Sequence, residues 1–379
     1  MCVTGVLTLS NLCELKNTVN IISHDHNSVK LRNINSFQSD DDVIDDDAIA
    51  KRSQDERRRF VSDNETEKED KFIVKYKGRI YDIRAFLNNH PGGRKTLSSY
   101  KEKNLDRVLK EYPHSDAALH LFNEYALDNK IKYDEVESLI DWNTPLLSQV
   151  GDLSDRYWQW VNLPVNRPIR LFRSDILEFL TITPWYLIPI VWIPICAYFL
   201  YTGFSLSITR QFPIFSLLEG LLAFAGGVLL WTFEEYLLHR KLFHFRPPGN
   251  SKILITLHFL LHGLHHKAPF DGQRLVFPPV AGVIIAVGIW NLYISIFPDF
   301  IANFISAGTV AGYLCYDLTH YYLHYGKPNA KTYFYDLKRY HNYHHFSHHD
   351  KGFGISSKIW DYVFNTSIRL QQLAKPIEW

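Results

Sequence analysis

Cysteine is scarce in this chain. There are four in 379 residues, Cys2, Cys13, Cys196 and Cys315, with no CxxC pair, and two of them sit inside apolar runs. Neither a disulfide framework nor a thiolate metal site is implied, so the catalytic half should be able to work in a reducing compartment. A charge surplus is missing too. Forty-one basic residues face forty acidic ones, which gives no electrostatic reason to expect a nucleic-acid partner. A basic lead-in is absent before the weakly apolar Val3–Leu9, so no signal peptide is read there. The mean hydropathy of −0.16 hides a division: the first 175 residues are polar and charged, and the remainder carries long apolar runs.

Large apolar residues are also rare in residues 1–70, which are rich in Asp, Asn and Ser. This stretch is read as a disordered extension, with too little apolar surface to offset ordering entropy. Residues 71–140 alternate short patches. Phe72–Val74 and Arg79–Tyr81 read as strands around a turn at Gly78, and Ala117–Leu127 has helical spacing. A small α+β domain is expected there, followed by a linker and interfacial segment at 141–175.

Four apolar segments lie within 176–370. They predict transmembrane helices at about 182–208, 211–238, 275–298 and 300–324, each near the roughly 20 residues a span requires. Ile253–Leu264 is too short to cross and reads as a re-entrant or interfacial helix. Tight links at Thr209–Arg210 and Pro298–Asp299 make two hairpins. Both flanks and the long middle loop then share one side, which carries Arg167, Arg170, Arg173, Arg240, Lys241, Lys252, Lys267, Arg274, Lys327, Lys331, Lys338 and Arg339. The positive-inside rule places that side in the cytosol. The expected fold is therefore multi-domain: a small α+β unit, then an all-α membrane domain with four spans and a cytosolic histidine-rich helical cap.

Histidine is abundant, and unevenly so. Thirteen of eighteen fall between His239 and His349, where an even spread would place about five. His239 and His244 close the second span. His258, His262, His265 and His266 line the short helix, His320 and His324 end the fourth span, and His341, His344 and His345 follow, with His348 and His349 behind. Spacings of three and four put most of these on single helix faces. The five-residue step from His239 to His244 suggests that one of them sits where the helix stops. Neutral imidazole ligates iron, zinc, copper or nickel, and about ten candidates suit two ions better than one four-coordinate zinc. His258 stays open as a further ligand, and His348 and His349 are left out. Glu235 and Asp317, one turn before His239 and His320, are candidates to orient those rings, with solvated helix ends as the alternative.

The histidine pattern over roughly residues 140–370 resembles the fatty acid hydroxylase superfamily of membrane di-iron enzymes. Asp141-Trp142-Asn143-Thr144-Pro145-Leu146-Leu147, Arg167-Pro168-Ile169-Arg170-Leu171-Phe172 and Gly352-Phe353-Gly354-Ile355-Ser356-Ser357-Lys358-Ile359-Trp360-Asp361 look like the linker and C-terminal segments of its fatty acid 2-hydroxylases. The resemblance implies metal ligation by His239, His244, His262, His265, His266, His320, His324, His341, His344 and His345. The ions would be two non-haem irons, with zinc a possible substitute in purified protein. It further implies O2 as oxidant and hydroxylation at C2 of a fatty acid or of the N-acyl chain of a ceramide. An acyl desaturase, a sterol oxidase and an inactive haem-binding scaffold are the competing readings.

His90-Pro91-Gly92-Gly93 follows the strand pair, and His114 precedes a helical stretch. Residues 71–135 resemble cytochrome b5, which implies haem b held by His90 and His114, with His120 the runner-up. Two axial histidines would leave the haem to pass electrons, drawn from NAD(P)H through cytochrome b5 reductase or a similar donor. An endoplasmic reticulum membrane, with haem and catalytic face in the cytosol, is the expected setting.

Overall fold

The computed structural model describes residues 71–128, 135–373 and 375–379. The reading of residues 1–70 lies outside these.

Strands β1 (Ile73–Tyr76) and β2 (Arg79–Asp82) pair antiparallel, Val74 opposite Tyr81. Helices α1 (Arg94–Ser98), α2 (Asp106–Glu111) and α3 (Asp116–Asn123) complete the small unit. Ser115 caps α3 by accepting from the Ala118 amide, so the helix starts where the sequence suggests and stops short of Leu127. Val74, Tyr81, Ile83, Phe86 and Leu121 form its core.

The linker is folded tightly rather than extended. It contains α4 (Tyr157–Val161) and packs Leu146, Tyr157 and Trp160 against Ile255 and Phe259 of a later helix. A short α5 (Asp175–Leu180) precedes the long helices.

Those helices are α6 (Leu187–Ile208), α7 (Pro213–Leu237, continued by a π turn over Leu238–Phe243), α9 (Pro279–Ile296) and α10 (Asp299–Tyr325). Three stretches, Leu187–Ile208, Pro213–Phe243 and Pro279–Ile296, are long and apolar enough to cross a membrane. Their outward residues are bare, Leu222 74 % and Ile284 71 % exposed, as a lipid-facing surface requires. The α10 helix differs from the expected lipid-facing span. It is the bundle's axis, buried along most of its length, with small and polar residues such as Ser306, Gly308 and Thr309 inside. Burial among helices, rather than in lipid, explains its lower hydropathy. Its approach to α7 is close: a Cβ at Gly308 would sit 2.1 Å from the Phe224 carbonyl oxygen, and one at Gly227 2.2 Å from that of Ile305.

The cap comprises α8, α11 (Tyr333–Phe346) and α12 (Ile359–Val363). Helix α8 runs as Lys252–His258, a π turn Phe259–Gly263, and Leu264–Lys267. One face, with Ile255, Phe259 and Leu264, packs under the linker, while Ile253, Leu254, Leu257 and Leu260 stay exposed, as an interfacial helix would carry them. Lys267 and Lys338, counted in the sequence among the basic residues of the cytosolic side, are interior at 0 % and 5 % exposed.

Candidate metal centres and haem site

Ten histidines converge as two groups of five. His239, His244, His262, His266 and His344 form the first, and His265, His320, His324, His341 and His345 the second; within each, the ring nitrogens lie within 4.8 Å of one another. The two groups interleave along the same helices. On α8, His262 and His266 turn to the first group and His265, one step round the helix, to the second; α11 divides His344 from His341 and His345 in the same way.

The five-residue step from His239 to His244 is resolved by the π turn. The His244 amide donates to the His239 carbonyl at 3.0 Å, and the wider turn brings both rings to one side. On an α-helix five residues would place them about 140° apart.

The Nε2 atoms face one another. In the first group, His239–His262, His262–His266 and His244–His344 are 3.1 Å apart and His244–His266 3.2 Å. In the second, His265–His320 and His341–His345 are 3.0 Å apart, His320–His341 3.1 Å and His324–His341 2.8 Å. His239 and His344 donate through Nδ1 to the carbonyls of Phe353 and Lys351, both at 2.6 Å, which leaves each Nε2 as a bare lone pair. Lone pairs aimed at one point repel unless a cation sits there. Ligands about 2.1 Å from a metal, at right angles, stand about 3.0 Å apart, so the donor set fits one ion per group. Burial, reinforced by the neighbouring imidazoles, holds His262, His265, His266, His341, His344 and His345 well below the usual imidazole value, so the cap rings are neutral.

His258 falls outside both groups. Its Nδ1 pairs with the Tyr157 hydroxyl at 2.6 Å, where it ties α8 to the linker. His348 and His349 also lie outside them. Glu235 does not touch His239, and Asp317 does not touch His320. Asp317 accepts from the Phe277 amide at 3.2 Å and the Tyr313 hydroxyl at 2.9 Å. Glu235 accepts from the Ile355 and Ser356 amides at 2.6 and 2.8 Å, and from the Ser356 hydroxyl. It therefore anchors the 351–358 loop, whose Phe353 and Lys351 carbonyls orient the imidazoles. Neither carboxylate orients a ring directly as expected; Glu235 acts through the loop, and Asp317 binds Phe277 and Tyr313 instead.

Two buried lysines escaped notice in the sequence because Lys is ordinarily a surface residue. Lys338 donates to the Leu323 and His324 carbonyls at 2.7 and 3.0 Å, capping α10 where it carries His324. Lys267 reaches the Glu137 carboxylate and the carbonyls of Trp160 and Leu163. Burial pushes its ammonium down to about 8 against the opposing pull of Glu137. Glu137 is raised by burial, but the His120 hydrogen bond and the Lys267 charge prevail and hold it below the usual carboxylate value.

A cavity of about 180 Å³ lies among α6, α7, α9 and α10. It is apolar, with Trp192, Phe199, Ala286 and Trp290 in its walls, and Phe243 and Tyr316 also line it. Phe243 stacks on His262 (5.3 Å, 20°) and Tyr316 on His320 (6.0 Å, 22°). One cavity thus abuts both imidazole groups.

In the small unit His90 and His114 face each other, ring centroids 6.3 Å apart and planes 18° from parallel. Two imidazoles on one iron, each bonded at about 2 Å with its ring centre a further ~1.1 Å out, would show this separation. Both rings donate through Nδ1 to backbone carbonyls, His90 to Gly93 at 3.1 Å and His114 to Tyr112 at 2.8 Å, which frees both Nε2 atoms. Gly93 makes the turn at φ +83°. His120 is elsewhere, 3.1 Å from Glu137.

Residues 58–131 match the cytochrome b5-like haem/steroid binding domain family, and residues 224–366 the fatty acid hydroxylase family. Fatty acid 2-hydroxylase of Homo sapiens is 40 % identical, the match covering 77 % of this chain and 90 % of that one. A dihydroceramide fatty acyl 2-hydroxylase of Arabidopsis thaliana is 46 % identical over 62 % of this chain and 96 % of its own. A solved structure of full-length scs7p, with only the hydroxylase domain visible, superposes with a TM-score of 0.57 at 34 % identity, covering 67 % of this chain and 93 % of that one. Fold and site together define a hydroxylating oxidoreductase of the membrane with a cytochrome b5 domain. The chain belongs to the fatty acid 2-hydroxylase family.

Proposed function

We propose that this protein hydroxylates C2 of long acyl chains, as free fatty acid or as the N-acyl chain of a ceramide, at two iron ions held by the two histidine groups. The carrying observation is an apolar cavity whose wall residues Phe243 and Tyr316 each stack on an imidazole, one from each group. Bound there, iron would supply the redox chemistry that activates O2 for insertion into a C–H bond.

The chain's own residues do the rest. Trp192, Phe199 and Trp290 take up the acyl tail and exclude water. That leaves the polar head towards the cap, with C2 near the imidazoles. Lys351 and Phe353 carbonyls fix ring orientation, so the ligand geometry is set before substrate arrives. His90 and His114 would hold haem b, which would supply one-electron transfer from a reductase using NAD(P)H. Tethering keeps that donor at high local concentration. Four spans, with α10 as the enclosed one, and the basic cap side towards the cytosol of the endoplasmic reticulum are part of the same reading.

The test is lipid mass spectrometry on cells expressing the wild type, His262→Ala or His320→Ala, together with iron per purified chain. New 2-hydroxy acyl lipids should appear only with the wild type, and iron should fall in both variants. Unchanged 2-hydroxylation in the variants, or a double bond in place of the hydroxyl, refutes the assignment.

A further inference from the structure

The small unit and the metal-bearing helices meet through three phenylalanines. Phe86 belongs to the haem-domain core and lies 5.6 Å from His90, centroid to centroid. Phe270, just beyond α8, meets Phe86 edge to face at 6.2 Å and 75°. Phe346, the last residue of α11, lies parallel to Phe270 at 6.3 Å and 26°. Its neighbour His345, of the second imidazole group, is 6.3 Å from the Phe346 ring. Each step falls within the range of packed aromatic pairs, and Phe346 is only 9 % exposed because the haem domain covers it.

The contact is held in register by polar ties on either side. Arg167 forms a two-point ion pair with Glu124 while its guanidinium lies 4.3 Å over the Trp142 ring. Asn166 donates to the Tyr125 hydroxyl at 2.6 Å, and Glu137 joins His120 of α3 to Lys267 beside the ligands. Glu124, Tyr125 and His120 belong to the haem domain; Arg167, Asn166 and Lys267 belong to the linker and cap.

We propose that Phe86, Phe270 and Phe346 form the electron bridge between the haem ligand His90 and the second imidazole group, entering at His345, with Phe270 as its positioning residue. The proposal rests on the haem-donor reading above. Each passage moves one electron: a ferrous haem iron is oxidised to ferric, a ferric non-haem iron is reduced to ferrous, and no bond or proton changes partner. The rings themselves are not oxidised; they supply unbroken packed contact. Because the route ends on the second group, the metal held by His265, His320, His324, His341 and His345 receives the electron first.

The experiment uses full-length holoenzyme in lipid nanodiscs, as wild type, Phe270→Ala and Phe270→Leu. Haem and iron content are measured first. The haem is then reduced, oxygen is admitted, and haem reoxidation is followed by absorbance. Phe270→Ala should slow reoxidation severalfold or more, because it breaks the packed contact between Phe86 and Phe346. Phe270→Leu, which refills most of the space, should restore most of the rate. Product from a single turnover after direct dithionite reduction of the metals should match the wild type in all three. Equal reoxidation rates in Phe270→Ala and wild type overturn the bridge. So does a Phe270→Ala enzyme that loses iron or dithionite-driven product, because the residue would then act on the metal site itself. If metal-depleted wild type reoxidises its haem as fast as holoenzyme, the donor reading fails, and the bridge fails with it.

Discussion

Replacing Glu235 by Ala should empty one metal position and leave the other filled. Glu235 is 2 % exposed, and its carboxylate is the acceptor for the Ile355 and Ser356 amides. Truncation leaves the buried Ile355 amide and the half-buried Ser356 amide without partners, at about 1–3 kcal/mol for the first and less for the second, so the folded state should lose about 2–4 kcal/mol. The local consequence is more specific than the global one. The loop released by the change supplies the carbonyls that fix His239 and His344, and both rings belong to the first group. Loss of such support ordinarily costs about 10–100-fold in metal affinity. Among the described hydrogen bonds, the loop's carbonyls reach His239 and His344 of the first group and no ring of the second. Mass spectrometry of purified protein should therefore find metal falling from two ions per chain towards one, with a lower melting temperature in detergent. Glu235→Gln keeps one accepting oxygen and should fall between the two. Two ions per chain and an unshifted melt in Glu235→Ala would show that the loop does not hold the first group.

Gly308→Leu should destabilise the bundle by about 3 kcal/mol or more, since the added carbons meet the Phe224 backbone and overpacking already costs 1–3 kcal/mol where side chains can yield. A detergent melt reads it, and an unchanged midpoint would mean the two helices can separate freely. Ala286→Trp should fill the cavity wall, lowering hydroxylation of long chains more than of short ones while haem absorbance and iron content stay constant. Equal loss across chain lengths would argue that the acyl tail lies elsewhere. Metal-stripped protein should lose stability on acidification below about pH 6.5. The cap imidazoles are held below their unfolded value, so the unfolded state binds more protons there, and each ring that stays neutral forfeits about 1.4 kcal/mol per pH unit. Chelated samples melted at pH 7.5 and 5.5 check the sign; a higher melting point at the lower pH contradicts it.

The features that could be read in advance follow from short-range periodicity. The spacings of three and four within His262/His265/His266, His320/His324 and His341/His344/His345 predicted shared faces; the pairs four apart do share a group, but His265 and His344 each turn to the other one. Which of two groups each would join was not legible. That division depends on helices from distant parts of the chain crossing at particular angles. Glu235 and Asp317 were placed beside the histidines because a carboxylate one turn away can orient an imidazole. Their oxygens were instead taken by the buried Ile355 amide and the half-buried Ser356 and Phe277 amides, backbone groups that need partners. Lys267 reads as a surface cation until tertiary structure supplies Glu137 from 130 residues away. Phe86, Phe270 and Phe346 carry no local signal at all, since their meeting depends on how one folded unit sits against another.

The wide turn at Leu238–Phe243 makes chain length itself a constraint. A helix of uniform pitch would tie the direction of His244 to the direction of Leu222 and Leu229, which face lipid on the same rod. The additional residue uncouples them, so membrane contact and ligand aim can be adjusted separately. Removing a single position there, Lys241 for example, would swing everything downstream by about 100° relative to the spans. A gap introduced in this stretch when related sequences are aligned would therefore pair His244 with a position that points elsewhere.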